Sequence, residues 1–196
     1  MMGQEQDLRA RLVTAGVELV ADGGVQALGL REIARRAGVS HGAPRRYFPA
    51  HRELLAAVAR QGFGRLTDTL AGTDALAAAT DADARSRLDA LARAYLGFAA
   101  ANPGMFELMF RHDLLEGSGV ELRRTTLPLF RTFVALVSEV HPDSDDPAAA
   151  TAALWSNLHG LAQLRTWGSL RLITGGDSVE PLLRTVLDAH LGPAAR

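Results

Sequence analysis

The spacing of apolar residues along the chain predicts helices throughout. Leu8, Leu12, Ala15 and Leu19 recur every three or four residues, which puts them on one face of a helix. The alternation of apolar and polar residues that is typical of a half-buried strand is absent from the sequence. The 196 residues are therefore expected to form an all-α protein.

The pattern predicts where each helix begins and ends. Asp22, Gly23 and Gly24 should end the first helix, and Pro128 should lie in the first turn of its helix, capped by Thr125 or Thr126. The later helices are expected near residues 30–37, 40–48, 51–70, 83–101, 102–110, 126–140, 148–167 and 181–191.

A run of small residues between Gly72 and Asp83 is the best candidate for a domain boundary. It predicts an N-terminal domain over 6–66 and a larger helical domain over 72–196.

The distribution of charged residues follows the same division. Residues 1–65 contain ten Arg and six acidic residues, whereas residues 66–196 contain eleven Arg and sixteen acidic residues. A basic first part favours a polyanion as its partner.

Composition excludes several classes of protein. The sequence has no cysteine, so disulfides and cysteine-based metal or redox sites are excluded. There is no apolar run of membrane-spanning length and no signal-peptide core near the N-terminus, so we expect a cytoplasmic protein. No nucleophile motif, phosphate-binding glycine loop or paired metal-binding histidines are present, so an enzyme, a metal site and a cofactor are not expected.

Two short helices joined by a glycine turn, within residues 29–48, have the layout of a helix-turn-helix. Gly38 is the expected left-handed cap of the first of these helices, and Ser40 the expected N-cap of the second. Pro44 then falls in the opening turn, where its missing N–H matters little. Ile33, Ala34, Val39 and Phe48 are expected to point inward. The candidate DNA-binding residues are Arg31, Ser40, His41, Gly42, Ala43, Arg45, Arg46, Tyr47 and His51.

Not every arginine here needs a DNA-binding role. Arg31 and Arg35 can flank the DNA backbone, whereas Arg36 is interpreted mainly as part of a solvated helix face.

The stretch "LREIARRAGVSHGAPRRYFPAHRELLAAVA" resembles the N-terminal DNA-binding domain of the TetR family of transcriptional regulators, over about residues 6–66. The resemblance implies an all-helical homodimer that binds a palindromic DNA operator. It also implies a C-terminal domain that binds a small-molecule effector and forms the dimer.

Four positions depart from the family's usual pattern. Gly29 stands where Thr or Ser is usual, Arg45 where an aromatic residue is favoured, and His51 where Lys is favoured. Pro44 replaces a usual Leu or Ile. Arg45 and His51 keep a hydrogen-bond donor, so phosphate binding is expected to survive with altered geometry.

The helix at "LWSNLHGLAQLRTWGSL" is similar to a subset of the family marked by Trp, His and Gly in this helix. It is apolar on two faces, which favours burial on both sides. The residues expected at the dimer interface are Leu154, Leu158, Leu161, Leu183, Val186, Leu187 and His190.

Aromatic residues, methionines and one histidine are the candidates for an effector pocket. They are Tyr95, Phe98, Met105, Phe106, Met109, Phe110, Phe133, Trp155 and His159. The alternative for the aromatic residues is an ordinary core. The alternative for His159 is an interior histidine bonded within the protein.

Together these features predict a ligand-responsive transcriptional regulator, a repressor released from DNA by a small apolar or amphipathic effector. The alternative is a helical small-molecule-binding or protein-interaction module whose DNA-binding head is degenerate, for which the departures at Gly29, Pro44 and Arg45 are the support.

Overall fold

The computed structural model describes residues 2–73, 83–119, 121–176 and 178–193, and these residues contain helices and no strand. The helices are α1 (Met2–Gly23), α2 (Leu30–Arg36), α3 (Ala43–Tyr47), α4 (His51–Ala71), α5 (Ala84–Ala101), α6 (Pro103–Phe110), α7 (His112–Leu115), α8 (Arg123–Val140), α9 (Pro147–Thr166), α10 (Ser169–Thr174) and α11 (Glu180–Leu191). The all-α prediction is confirmed. None of the described helices is both long and apolar enough to cross a membrane.

The predicted long helices are confirmed to within a few residues, but the prediction for Pro128 is wrong. α8 begins at Arg123, so Pro128 lies inside the helix rather than in its first turn. The first turn of α8 is closed by backbone hydrogen bonds between residues three positions apart. The Arg124 N–H donates to the Glu121 carbonyl at 3.0 Å, and the Thr125 N–H donates to the Leu122 carbonyl at 2.9 Å. Pro128 is exposed to solvent, so water can hydrate the carbonyl that the proline leaves without its helical donor.

Three short elements were not predicted. They are a 3₁₀ turn at Val25–Ala27, the single turn of α7, and α10, which starts after the left-handed Gly168. Segments of three to six residues are too short to display a helical repeat in sequence, so periodicity could not reveal them.

The chain divides into two compact units, the first comprising residues 1–65 with 102–125 and the second residues 66–101 with 126–196. This division differs from the predicted boundary at 72–83, of which residues 74–82 lie outside the described part of the chain. It assigns α6 and α7 to the same unit as α1, α2 and α3.

In the first unit, α1 packs against α2, α3 and α6. Leu12, Ile33, Phe48, Leu54 and Phe106 are among its largest buried side chains, each at most 1% exposed. α1 and α6 approach so closely that a Cβ placed on Gly104 would lie 2.3 Å from the Val20 carbonyl oxygen. Glycine is required at this contact because a Cβ would collide with the backbone of α1, which cannot turn aside as a flexible side chain can.

In the second unit, α9 packs against α5, α10 and α11, and α11 also contacts α5. Leucines on all three long helices fill this core: Leu88 and Leu91 from α5, Leu154 and Leu158 from α9, and Leu183 and Leu187 from α11. Arg85, near the start of α5, donates to the carbonyls of Leu187 and Gly192 and pairs with Asp188, which joins α5 to the end of α11.

Gly104→Ala is expected to destabilise the protein by about 1–3 kcal/mol, because the added methyl group must push α6 away from the α1 backbone. Gly97→Ala is the matched control, since nothing lies within 4 Å of a Cβ at this exposed position in α5. Alanine there should stabilise by roughly 0.5–1 kcal/mol. Urea unfolding of both variants measures the difference, and equal effects would contradict the close contact.

Candidate nucleic-acid interface and effector site

A glycine C-cap ends α2 and sets the course of the turn that follows. Gly38 adopts a φ of 66°, which L side chains rarely adopt. The Val39 N–H bonds the Ala34 carbonyl at 3.0 Å, and the Gly38 N–H bonds the Arg35 carbonyl at 3.1 Å. These two bonds form the Schellman motif that the sequence "AGV" favours. The predicted left-handed cap at Gly38 is confirmed.

The N-cap of α3 differs from the prediction. α3 begins at Ala43 with Gly42 as its N-cap, and no side chain caps it. Ser40 therefore does not act as the predicted N-cap, although its carbonyl accepts from the Ala43 N–H at 2.9 Å. Pro44 occupies the first turn, as predicted, where no helical donor is lost.

The two faces of α3 are sharply different. Ala43 and Pro44 are buried, as is Phe48 directly after the helix. Arg45 and Arg46 are exposed, as are His41 and Gly42 in the preceding turn, and Tyr47 is half-buried. The Ala43 side chain points into the core, so only its small size can assist an approach to DNA. Of the predicted inward residues Ile33, Ala34 and Phe48 are buried, whereas Val39 is half-buried.

Arginines on α2 and α3 have different surroundings. Arg35 bonds Glu32 through Nε at 2.9 Å, and Arg36 bonds Asp22 at 2.9 Å and Glu18 at 3.3 Å. Arg36, predicted to lie on a solvated helix face, thus bonds two carboxylates of α1. Within the described part of the chain, no carboxylate pairs with Arg31, Arg45 or Arg46. Their guanidinium groups present uncompensated positive charge to solvent.

His51 begins α4 and has a partner that sequence reasoning missed. Its Nε2 lies 2.6 Å from the Leu28 carbonyl oxygen, so this nitrogen carries the proton and donates it. The bond ties the start of α4 to the segment before α2. A phosphate contact by the His51 side chain would have to come from Nδ1 of the doubly protonated ring, because Nδ1 of the neutral ring can only accept.

Two arginines of α1 also support the helix-turn-helix. Arg11 donates from Nη2 to the Ala37 carbonyl at 2.6 Å, and the Arg9 guanidinium lies 4.7 Å from the centre of the Phe48 ring. Both contacts span more than 20 residues, so no local pattern in the sequence could have indicated them.

The predicted effector residues are divided between the two units. Met105, Phe106, Met109 and Phe110 belong to the first unit, whereas Tyr95, Phe98, Phe133, Trp155 and His159 belong to the second. The two methionines pack against α4 at Gly62, where an added Cβ would lie 2.6 Å from Met105 Sδ and 2.7 Å from Met109 Sδ. Phe106 and Phe110 form an edge-to-face pair with ring centres 5.0 Å apart. These four side chains serve the core of the first unit.

In the second unit, three predicted residues form a hydrogen-bonded network. Trp155 Nε1 donates to the Tyr95 hydroxyl at 3.2 Å, and that hydroxyl lies 3.0 Å from His159 Nδ1. The indole nitrogen is only a donor, so the Tyr95 hydroxyl accepts from Trp155. The Gln163 amide nitrogen, also only a donor, lies 3.4 Å from His159 Nε2, so this ring nitrogen accepts and the hydrogen of the neutral ring is on Nδ1, facing the Tyr95 hydroxyl.

Burial sets the protonation state of this network. It raises the pKa of Tyr95, an effect that the hydrogen bond from Trp155 partly opposes. Burial also lowers the pKa of His159, which favours the neutral imidazole that the network requires. Tyr95 is 4% exposed, whereas the Trp155 ring is 40% exposed, so the network extends from the core to the surface. Phe98 is buried in the same unit and Phe133 is half-buried.

The residues predicted at the dimer interface differ in how much surface they expose within a single chain. Leu154, Leu158, Leu183 and Leu187 are only 1–3% exposed within a single chain, so they have no surface to give to a partner. Leu161, Val186 and His190 are half-buried. These leucines lie in the core where α9 packs against α5 and α11. Among the described residues, the large apolar side chains left exposed are Trp155, Trp167, Leu172 and Ile173.

Comparison with known proteins identifies the family. Residues 12–58 match the model described as "Bacterial regulatory proteins, tetR family", and residues 88–190, which are more than half of the chain, match "Tetracyclin repressor-like, C-terminal domain". The chain belongs to the TetR family. The resemblance found in the sequence is thus confirmed, and a regulatory protein rather than an enzyme is indicated.

Two similar proteins are an HTH-type transcriptional regulator and an HTH-type transcriptional activator. The HTH-type transcriptional regulator BetI of Rhizobium meliloti (strain 1021) is 39% identical over 93 residues, which is 47% of this chain and 43% of BetI. The HTH-type transcriptional activator FasR of Mycolicibacterium smegmatis is 34% identical over 105 residues, 54% of this chain and 46% of FasR. The matched region spans less than half the length of these relatives.

A solved structure, a protein of unknown function from Rhodococcus sp. RHA1, superposes with a TM-score of 0.76 at 30% identity and covers 94% of this chain and 93% of that one.

The pKa of His159 leads to a pH-dependent prediction. Because burial lowers this pKa below its ordinary value of 6.5, the unfolded chain binds a proton more readily than the folded one. Stability should therefore fall as pH decreases from about 7 through the unfolded pKa. We expect a smaller loss in His159→Gln, which removes the titrating group. Urea unfolding midpoints between about pH 7.5 and 5 test this, and identical pH profiles would contradict it.

Proposed function

We propose that this protein is a dimeric repressor that binds a palindromic DNA operator through α3 and releases it when a small apolar or amphipathic effector binds. The single observation that carries the proposal is the outward face of α3, where Arg45 and Arg46 are exposed and no carboxylate of the described residues neutralises them. Repression accords with the "Tetracyclin repressor-like" description of the matching C-terminal family.

Arg45 and Arg46 suit the reading of base edges. They are adjacent, so they project about 100° apart around the helix axis, one on each side of its outward face. An arginine at the surface of a major-groove helix can bond guanine through O6 and N7, or a phosphate. His41 and Tyr47 flank them with further hydrogen-bonding groups. Arg31 on α2 supplies a candidate phosphate contact.

A dimer would place two copies of α3 in successive major grooves, about 34–36 Å apart. The exposed apolar side chains of the second unit support a partner surface there, because a soluble chain seldom leaves several large apolar groups in water. Trp167 is 68% exposed, Leu172 87% and Ile173 78%. We therefore assign the dimer contact to this surface and the outer face of α9, in place of the buried leucines.

The network of Tyr95, His159 and Trp155 supports an effector site in the second unit. It offers hydrogen-bonding groups among apolar side chains, which is how small-molecule sites fix the orientation of a ligand. An effector releases DNA only if it binds the DNA-free conformation more tightly than the DNA-bound one.

Arg45→Ala combined with Arg46→Ala is expected to weaken operator binding at least tenfold, since two charged contacts are lost. Fluorescence anisotropy with duplexes selected by the wild-type protein measures the affinity. Arg184→Ala, at an exposed position on α11, is the control and should bind normally. Wild-type affinity should also fall steeply with salt because phosphate contacts release counterions.

Failure of the wild-type chain to select or retain any duplex would overturn the repressor proposal and favour the alternative, a helical binding module with a degenerate head. Unchanged affinity in the double variant would remove α3 from the interface.

Leu172→Asp combined with Ile173→Asp is expected to convert the dimer to a monomer at micromolar concentration, because two charges would have to be desolvated at the contact. Light scattering after size-exclusion chromatography measures the mass. Both side chains are exposed, so folding should be unaffected. Ala100→Asp, at an exposed position on α5, is the control and should remain dimeric. A dimer that survives both aspartates contradicts this surface.

A further inference from the structure

A cleft lies between α1 and α4 in the first unit. The two helices meet closely at Gly16, where an added Cβ would lie 2.6 Å from Val58 Cγ2. Beside this contact the cleft has a volume of about 440 Å³ and is lined only by residues of α1 and α4. This volume lies within the range of small-molecule sites. The cleft belongs to the DNA-binding unit and contains none of the residues of the Tyr95 network.

The floor of the cleft is apolar. Val13, Val17 and Ala57 line it and are 8%, 8% and 1% exposed. Ala10 and the methyl group of Thr14 extend this apolar surface towards solvent. Such a floor can take up a hydrocarbon tail but makes no favourable contact with a strand of phosphates.

The rim of the cleft is positively charged. Arg9, Arg60 and Arg65 line it together with one acidic residue, Glu18. The Glu18 carboxylate is already bonded to Arg36 at 3.3 Å, which reduces its repulsion of an anion. Within the described part of the chain no carboxylate pairs with Arg9 or Arg60. Many other arginines have such a partner, among them Arg35, Arg85, Arg93 and Arg111.

Arg9 is positioned by a contact of its own. Its guanidinium lies over the Phe48 ring at 4.7 Å, which leaves the edge of the group, with its N–H donors, able to bond an anion. Arg60 is exposed on α4 and contributes from the other helix. The cleft therefore combines cationic donors from two helices with an apolar floor.

We propose that this cleft binds a small amphipathic anion, a single anionic head group held by Arg9 and Arg60 with an apolar tail on Val13, Val17 and Ala57. A DNA duplex is too wide to enter a cleft of this volume, and inorganic anions leave the floor uncovered. An amphipathic anion matches both features of the lining at once.

Decyl phosphate, below its micelle-forming concentration, is the probe. Titrated into the full-length ¹⁵N-labelled protein, it should shift the backbone amide resonances of α1 and α4, including those of Val13 and Ala57. Inorganic phosphate, which lacks the tail, and decyltrimethylammonium, which has the opposite charge, should each bind at least tenfold more weakly at these resonances. The readout contains no DNA, so it is independent of the repressor proposal.

Two variants test the site from different directions. Arg9→Gln combined with Arg60→Gln removes the charges, and Thr14→Trp fills the cleft from an exposed position. Each should weaken decyl phosphate binding at least tenfold. Arg184→Gln, an exposed arginine on α11 outside the cleft, should bind like the wild type. Circular dichroism melting identifies any variant that fails to fold, and the remaining variant then decides.

Three results would overturn the proposal: resonance shifts confined to residues outside α1 and α4, unchanged affinity in the folded charge-removal variant, or binding of the cationic amphiphile as tightly as decyl phosphate.

Discussion

The C-terminal cap of α2 is the constraint on which the arrangement of the first unit depends. The last carbonyls of a helix have no partner within it, and here three carbonyls at the end of α2 accept from donors outside the helix. Gly38 and Val39 satisfy the carbonyls of Arg35 and Ala34, and Arg11 of α1 reaches the carbonyl of Ala37 at 2.6 Å. The cap thus turns the chain and ties the turn to α1. Everything that α3 presents to solvent follows from that direction.

The same residue type has two roles in the first unit, and the neighbouring carboxylates decide which. Arg35 pairs with Glu32, and Arg36 pairs with Glu18 and Asp22. These ion pairs hold both guanidinium groups against the surface of the protein. Arg45 and Arg46 project from a five-residue helix that contains no acidic residue. Exposed ion pairs contribute little to stability. The main effect of these pairs is that Arg35 and Arg36 are neutralised, whereas the positive charge of Arg45 and Arg46 remains available to a partner.

The second unit carries its polar groups in a directed network. Trp155 and the Gln163 amide nitrogen can only donate, so the Tyr95 hydroxyl accepts from Trp155 and His159 Nε2 accepts from Gln163. The acceptor role of Nε2 requires neutral His159, and partial burial of the ring favours the same state. The spacing of Trp155 and His159 at one helical turn was visible in the sequence. Their meeting with Tyr95 on α5 was not, because it joins residues 60 and 64 positions apart.

The sequence by itself determined the long helices to within a few residues, the glycine turn at Gly38, the position of Pro44 in the first turn of α3 and the outward direction of Arg45 and Arg46. Each of these depends on local rules of periodicity and backbone conformation.

Only the tertiary structure decided which apolar surfaces meet. α9 is apolar around most of its circumference, so no periodicity could show that Leu154 and Leu158 are buried within the chain while Trp155 reaches solvent. Likewise, the sequence does not show whether Met105 and Met109 line a pocket or pack on Gly62. The packing of α6 against α4 places the sulfur atoms of both methionines beside Gly62.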